Sequence, residues 1–297
     1  MREKFRGMGV AVITPFNEDG KTDFAALQRV IEHLINGKTD YLVIQGTTGE
    51  SVTIKPDEKR AILDFVLEIN NNRLPLVYGI GGYDTAEILE TLDSFDLTGV
   101  DAILSVSPYY NKPTQEGIYQ HYKKLNEHTP KPIILYNVPG RTGRNMLAET
   151  TLRIANDCKN IIGIKEASGS FNQIMSIIQE RPKNFLVTCG DDAIALHAVS
   201  VGADGVISVV GNAFPKEFSD MIRHALKGEY EQAQKIHYQL LDIIQNLFVE
   251  SNPSGIKEVM KILGICGNTT RLPIVPVSET TSKKIYQLLA ACPYVKI

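Results

Sequence analysis

The sequence predicts an α/β protein folded as a (β/α)8 barrel, a TIM barrel, with a C-terminal helical extension. Eight short apolar runs alternate along the chain with segments of helical periodicity. Most of these runs are continuously apolar, as in parallel strands that are buried on both faces. The chain has 297 residues, of which 43% are hydrophobic, and α/β barrels of this size often form one domain. The runs are, in order, "GVAVITPF", "YLVIQG", "PLVYGIGG", "AILSVSPYY", "PIILYNVP", "IIGIKEAS", "FLVTCGDD" and "GVISVVGN".

The segments between the runs predict helices. Apolar residues recur on one face at helical spacing in 56–69, in 115–126 and again in 231–248. Because the helices after the eighth run exceed what a minimal barrel needs, we assign 1–227 to the barrel and 228–297 to the extension. A doubly wound open sheet is the alternative, but no G-x-G-x-x-G follows the first run. The "GIGG" after the third run lacks the Lys-Ser/Thr ending of a phosphate-binding loop.

Composition and charge exclude several classes of protein. The formal net charge is −3 with no basic cluster, so we expect no nucleic-acid partner. No apolar run is long enough to cross a membrane. The apolar run near the N-terminus is short and is interrupted by Thr14-Pro15, which favours a strand over a signal peptide.

The cysteines indicate a reduced, cytoplasmic protein without a disulfide framework or zinc site. They are widely separated, form no C-x-x-C pair and have no neighbouring histidines. The four are Cys158, Cys189, Cys266 and Cys292.

Polar side chains follow several of the predicted strands, where a barrel of this kind places its reactive groups. Hydroxyls, phenols, a guanidinium and an amine are expected to meet at one rim. Since they include no histidine and no carboxylate cluster, a metal site is poorly supported. The candidates are Thr47, Thr48, Tyr109, Tyr110, Tyr136, Arg141 and Lys165.

Each candidate also has a structural interpretation. In that interpretation, Lys165 extends from the end of a strand to water or pairs with Glu166, although neighbouring strand residues point to opposite faces. Tyr136 would then be a packing aromatic, the threonine pair would cap a turn, and Arg141 would be an exposed loop residue. The tyrosine pair before "NKP" would form an interface patch. The position of all these residues at one end of the barrel favours the functional interpretation.

Together these groups suit one chemistry. A desolvated lysine retains a neutral amine fraction and forms a Schiff base with a ketone, and loss of a proton then gives an enamine. A tyrosine linked to a threonine relays that proton. The "GTTG" turn suits one carboxylate, and the fork of Arg141 suits a second. The residues predict a metal-free aldolase-type site for a small α-keto acid and a carboxylated partner.

The motifs "GTTGES", "PYYNKPTQEG", "YNVPGRTG" and "GIKEASG" carry a family resemblance. From "AVITPF" to "GVISVVGN" the chain resembles the dihydrodipicolinate synthase family of pyruvate-dependent class I aldolases, which is related to N-acetylneuraminate lyase. The resemblance implies that Lys165 forms the Schiff base with pyruvate and that Tyr136 donates and accepts protons. Thr47 and Tyr110 would complete the hydroxyl relay.

The resemblance also implies the substrates and the residues that bind them. Thr48 would hold the pyruvate carboxylate, with the backbone at Gly190 and Ile207 lining the pocket. Arg141 would bind the carboxylate of L-aspartate 4-semialdehyde, in the diaminopimelate pathway to lysine. The arginine of "YNVPGRTG" favours this synthase over a sialic-acid lyase or a keto-deoxy-sugar aldolase. A keto-acid sensor without turnover is disfavoured because every relay residue is present.

Two further expectations follow from the same resemblance. The tyrosine matching Tyr110 enters from a neighbouring subunit in the family, which implies a homodimer, or a tetramer built as a dimer of dimers. Some members are inhibited by lysine, and the candidate regulatory residues here are Ser51, Tyr83, Glu87 and Tyr109. Pro56 and Lys59 replace histidines of the lysine-sensitive pattern, and Tyr83 replaces an asparagine. Because Lys59 is cationic like the ligand, we expect weak or absent inhibition by lysine.

The segment "VESNPSGIK" (249–257) departs from the "ANPIPVK" form of some relatives. We expect the departure to leave the chemistry untouched and to alter only packing against the C-terminal helices.

Overall fold

Eight parallel strands close into a barrel in the computed structural model, which describes residues 1–296. Each strand pairs with the next in the sequence, and β1 also pairs with β8 to close the barrel. The predicted fold class is therefore confirmed. The strands are β1 Gly7–Ala11, β2 Tyr41–Ile44, β3 Leu76–Gly79, β4 Ala102–Val106, β5 Ile133–Asn137, β6 Ile161–Glu166, β7 Leu186–Cys189 and β8 Gly205–Ser208.

Helices follow the strands and surround the barrel. Several begin at a side-chain cap, such as Asp23 or Thr114, whose oxygen accepts a hydrogen bond from an amide of the first turn. The three helical segments predicted from periodicity correspond to α2, α4 and α10. The helices are α1 Phe24–Asn36, α2 Pro56–Asn70, α3 Thr85–Ser94, α4 Gln115–His128, α5 Pro139–Thr142, α6 Ala148–Asp157, α7 Phe171–Glu180, α8 Ala195–Ser200, α9 Pro215–Leu226, α10 Tyr230–Asn246, α11 Ser254–Ile262 and α12 Glu279–Ala291.

The first strand begins and ends earlier in the sequence than the apolar run that predicts it. The run covers 9–16, whereas β1 covers Gly7–Ala11, and Phe16 instead forms an isolated antiparallel bridge with Thr22. Pro15 has no amide hydrogen and cannot donate to a continuing ladder, so the strand ends before it. The interpretation of this N-terminal segment as a strand is confirmed.

The interior of the barrel is closed at the amino ends of its strands. Phe5 precedes β1 and packs edge-on against Tyr41, with ring centroids 5.5 Å apart, and both side chains are fully buried. The Tyr41 ring fits because Gly9 has no side chain, since a Cβ there would lie 2.1 Å from a ring carbon. The carboxyl ends of the strands are therefore the end at which a ligand can enter.

The larger apolar core lies between the barrel and its helices, and the extension adds to it. Helix α10 packs against α9 and α8, and α12 packs against α10 and α11. The division into domains at residue 227 stays a prediction. All four cysteines are buried and free. Within the part of the chain that the structure describes, no helix is both long and apolar enough to cross a membrane.

Candidate active site

Lys165 and Tyr136 lie side by side where two neighbouring strands end. They are register partners on β6 and β5, and only 5% and 7% of their surfaces are exposed. The Lys165 ammonium nitrogen lies 4.5 Å from the centroid of the Tyr136 ring, within the range of a cation–π contact. A buried amine and a phenol thus meet at the open end of the barrel.

A polar network behind this pair holds the two strand ends together. Asn137 follows Tyr136, and its side-chain nitrogen Nδ2 donates to the carboxylate of Glu166 at 3.0 Å. The same carboxylate accepts from the Ser168 amide at 2.7 Å and from the Gln173 side chain at 2.9 Å. Glu166 therefore points away from Lys165, which confirms the outward orientation predicted from strand alternation.

Gly190 packs directly against the lysine side chain. A Cβ at this position would lie 3.1 Å from Cε of Lys165 and 2.6 Å from Cβ of Ala167. The Gly190 amide donates to the Glu166 carbonyl at 2.7 Å, which ties the loop after β7 to the end of β6. Ile207, on β8, is buried in the same interior cluster as Tyr136.

The "GTTG" motif forms a tight turn after β2. The Gly49 amide donates to the Gly46 carbonyl at 3.1 Å, and the Glu50 amide donates to that of Thr47 at 3.0 Å. Thr47 is half-buried and Thr48 is buried. Among the described residues, the structure gives no side-chain hydrogen bond between Thr47 and Tyr136, and the relay that links them stays a prediction.

Asn252 links two predicted substrate-binding residues that are far apart in the sequence. Its side-chain nitrogen donates to the Thr48 hydroxyl at 3.1 Å, and its carbonyl accepts from the Arg141 guanidinium at 3.3 Å. No motif or periodicity in the sequence predicts this residue. The available signal is the "VESNPSGIK" segment that contains it, and these two bonds show that the segment does more than pack against the C-terminal helices.

Tyr110 lies outside this group. Its side chain is 89% exposed, and its backbone has a φ of +67°, which is uncommon for a residue with a side chain. The structure therefore brings together Lys165, Tyr136 and Gly190, and separately Thr48 and Arg141, but not Tyr110.

The candidate regulatory residues lie along neighbouring surface segments. The Tyr83 and Tyr109 rings meet edge-on, with centroids 5.5 Å apart, and burial raises the pKa of Tyr109. Burial lowers the pKa of Lys59 on α2, while the negative charge of Glu87 on α3 opposes that shift. Ser51 begins the short helical turn after Glu50.

A buried carboxyl group fixes the end of β8. Oδ2 of Asp192 accepts hydrogen bonds from the amides of Val209 and Val210, at 2.9 and 2.7 Å. Burial raises its pKa to about 6, although these hydrogen bonds favour the ionised form. This residue sets the path of the chain just beyond Ile207.

Residues 1–296 contain no group of three or more histidine, cysteine, aspartate or glutamate side chains arranged to hold a metal ion. The site instead offers a buried amine beside a phenol, a turn with two threonines and a guanidinium. Fold and site together define a barrel enzyme with a lysine at its centre.

Comparison with known proteins identifies the family. The model of the dihydrodipicolinate synthetase family matches residues 4–292, and the chain belongs to this family. A curated 4-hydroxy-tetrahydrodipicolinate synthase of Flavobacterium psychrophilum is 51% identical over 95% of this chain and 97% of its own. The crystal structure of dihydrodipicolinate synthase from Thermotoga maritima has a TM-score of 0.95 and 38% identity, covering 97% and 99% of the two chains. The chloride-inhibited enzyme of Acinetobacter baumannii, solved in complex with pyruvate, has a TM-score of 0.94 and 36% identity, covering 98% and 99%.

Proposed function

We propose that this chain is a 4-hydroxy-tetrahydrodipicolinate synthase, a lyase of the class I aldolase type. It condenses pyruvate with L-aspartate 4-semialdehyde in the diaminopimelate route to lysine. The observation that carries the proposal is the buried Lys165 amine beside the Tyr136 phenol, at the carboxyl end of a closed barrel. Relatives of about half identity over nearly the whole chain carry the same name.

In the first half of the reaction, the neutral amine of Lys165 adds to the ketone carbon of pyruvate, and water leaves to form the protonated imine. Thr48 and the "GTTG" turn hold the carboxylate, and Tyr136 moves protons to and from the departing oxygen. Loss of a proton from the methyl group then gives the enamine. The barrel relative complexed with pyruvate supports this choice of keto acid.

In the second half, the enamine carbon attacks the aldehyde of the second substrate while Arg141 binds its carboxylate. The contact between Arg141 and the Asn252 carbonyl holds the guanidinium beside the turn that carries Thr48. The amine of the substrate then adds to the imine carbon and displaces Lys165 as the ring closes. This step regenerates the free enzyme, so the cycle consumes no cofactor.

We further propose that the enzyme works as a homodimer or a tetramer in the cytoplasm. The strained, exposed Tyr110 supports this, because it lies outside its own site and is available to a neighbouring subunit. Four free, buried cysteines fit a reducing compartment.

The test compares two aldehydes and two arginine variants. Wild-type enzyme should turn over pyruvate with aspartate semialdehyde but not with N-acetylmannosamine. Arg141→Ala should raise the KM for the semialdehyde about tenfold or more, since a charge-assisted bond to a carboxylate is lost. Arg144→Ala, which removes a nearby exposed arginine, is the control and should behave as wild type. Preference for N-acetylmannosamine, or an unchanged semialdehyde KM in Arg141→Ala, would contradict the assignment.

A further inference from the structure

A second buried lysine lies outside the catalytic group, on α11 of the C-terminal extension. Lys257 is fully buried, and its ammonium nitrogen lies 2.5 Å from Oε1 of Glu50 and 2.8 Å from the Thr269 carbonyl. It also lies 4.2 Å from the centroid of the Phe16 ring. The ammonium charge of Lys257 is therefore balanced by Glu50 in the loop after β2, by the Phe16 ring in the loop after β1 and by the Thr269 carbonyl of the extension.

Glu50 connects this lysine to the pyruvate-binding turn. It directly follows "GTTG", its amide closes the turn onto Thr47, and its φ is +55°. A residue with a side chain rarely adopts this left-handed conformation unless its surroundings enforce it. Here Oε2 accepts the Arg271 amide at 3.0 Å while Oε1 is held by Lys257, so both carboxylate oxygens are fixed from the extension.

Stability alone is a poor explanation of a buried ion pair. The desolvation of the two charges offsets most of their attraction, and apolar replacements of both partners are often equally stable. What an ion pair of this kind does provide is a fixed distance and direction between two segments. Those segments are the turn that carries Thr48 and the extension that also supplies Asn252 to the Thr48 hydroxyl.

We propose that Lys257 is a positioning residue for pyruvate binding, acting through Glu50 on the "GTTG" turn. The C-terminal extension thereby sets the affinity of the barrel for its first substrate. The inference rests on the proposed function, because it requires that Thr48 hold the carboxylate of a keto acid bound to Lys165. Lys257 itself touches no reacting atom.

The test measures the pyruvate concentration that gives half-maximal trapping of the Lys165 adduct by borohydride, which needs no second substrate. Lys257→Met should raise this concentration about tenfold, while the trapped amount at saturating pyruvate stays near that of wild type. Lys261→Met, the same change at an exposed position of the same helix, is the matched control and should match wild type.

A double variant separates positioning from stability. Lys257→Met alone leaves Glu50 buried without a counter-charge, whereas Glu50→Gln with Lys257→Met removes both charges. We expect the double variant to recover the thermal midpoint of wild type but to keep the raised half-maximal pyruvate concentration. If the double variant recovers both the thermal midpoint and the half-maximal pyruvate concentration of wild type, the proposal is wrong. It is also wrong if Lys257→Met folds and binds pyruvate as wild type does. If neither variant folds, the pair serves stability and the proposal is equally wrong.

Failure of the inference is distinguishable from failure of the proposed function. If wild-type protein forms no pyruvate adduct at Lys165, the assigned chemistry fails. If wild type is trapped and the Lys257 variants are trapped at the same pyruvate concentrations, only the positioning role fails.

Discussion

At the level of single residues, the environment of Lys165 is set by close contacts and not by a charged partner. Its amine faces the Tyr136 ring at 4.5 Å, and the neighbouring carboxylate of Glu166 is occupied by Asn137, Ser168 and Gln173. Gly190 packs against the aliphatic part of the Lys165 side chain. An amine held in this way stays beside the Tyr136 ring and is not drawn into an ion pair with Glu166.

The fit between Gly190 and Lys165 gives a residue-scale prediction. In Gly190→Ala the new methyl group would lie 2.6 Å from Cβ of Ala167, so the loop after β7 or the end of β6 must shift, and 3.1 Å from Cε of Lys165, which displaces the lysine side chain. We expect kcat/KM for pyruvate to fall about tenfold or more, since small displacements of a nucleophile are costly. Steady-state kinetics measure this. Gly82→Ala is the control, because its nearest new contact is an ordinary one at 3.7 Å. Wild-type kinetics in Gly190→Ala would contradict the packing argument.

The sequence was sufficient to predict that Lys165 and Tyr136 lie together, because each is the second-last residue of a recognisable buried strand and these strands are neighbours in the barrel. It was not sufficient for Asn252 or Lys257. Both lie in the extension, more than 200 positions from Thr48 and Glu50, and no periodicity links them. Contacts over such separations depend on how the helices after β8 return across the barrel rim.

At the level of the elements, buried polar groups fix the strand ends that carry the site. Asn137 and Glu166 bond across the ends of β5 and β6, directly beyond the two central residues. Asp192 fixes the end of β8 by accepting hydrogen bonds from the amides of Val209 and Val210. The local course of the loops is thus specified by buried polar side chains other than Lys165 and Tyr136.

Asp192 gives a prediction on pH and stability. Its pKa in the folded protein, about 6, lies above the ordinary 3.8, so the folded state binds more protons than the unfolded state between these values. Stability should therefore fall as the pH rises from about 4 to about 6, by up to about 3 kcal/mol from this group. Asp192→Asn removes that dependence while leaving an oxygen to accept the two amides.

The measurement is the urea unfolding midpoint of both proteins at fixed protein concentration from pH 4 to pH 7. The advantage of the wild-type protein over Asp192→Asn should shrink with rising pH through this window. A difference between the two proteins that does not change with pH would contradict the role assigned to burial of this carboxyl group.

The surface formed by α2, α3 and the loop after β4 gives a prediction on regulation. Lys59 places a partly buried ammonium near Glu87, where a lysine ligand would bring a second positive charge. We expect L-lysine to inhibit weakly or not at all, and Lys59→His to increase any inhibition. Initial rates at increasing L-lysine concentration test this. An inhibition constant in the nanomolar to low micromolar range for wild type would refute it.

At the level of the whole molecule, the chain combines a complete barrel with two features that reach beyond it. The extension contacts the "GTTG" turn and the adjoining Glu50 through Asn252 and Lys257. The loop after β4 presents Tyr110 to the surface in a left-handed conformation, away from its own Tyr136. The fold could be predicted from strand and helix periodicity, whereas no periodicity in the sequence predicts whether chains assemble.

Subunit complementation tests whether Tyr110 acts in a neighbour. Tyr110→Phe and Lys165→Ala should each be nearly inactive as homo-oligomers. When the two variants are unfolded together and refolded, mixed dimers should contain one site with Lys165 and with Tyr110 supplied by the other chain. Activity of the 1:1 mixture should return to about a quarter of wild type, because half the dimers are mixed and each has one intact site. No recovery would show that Tyr110 does not act across an interface.

The central claim is that the Lys165 amine forms a Schiff base with pyruvate. The direct measurement is borohydride reduction of the folded protein with pyruvate, followed by peptide mass spectrometry. We predict one reduced pyruvyl group per chain, located on the peptide that contains "GIKEAS", and none in Lys165→Ala. An adduct on another lysine, or no adduct on folded wild-type protein, would contradict the account.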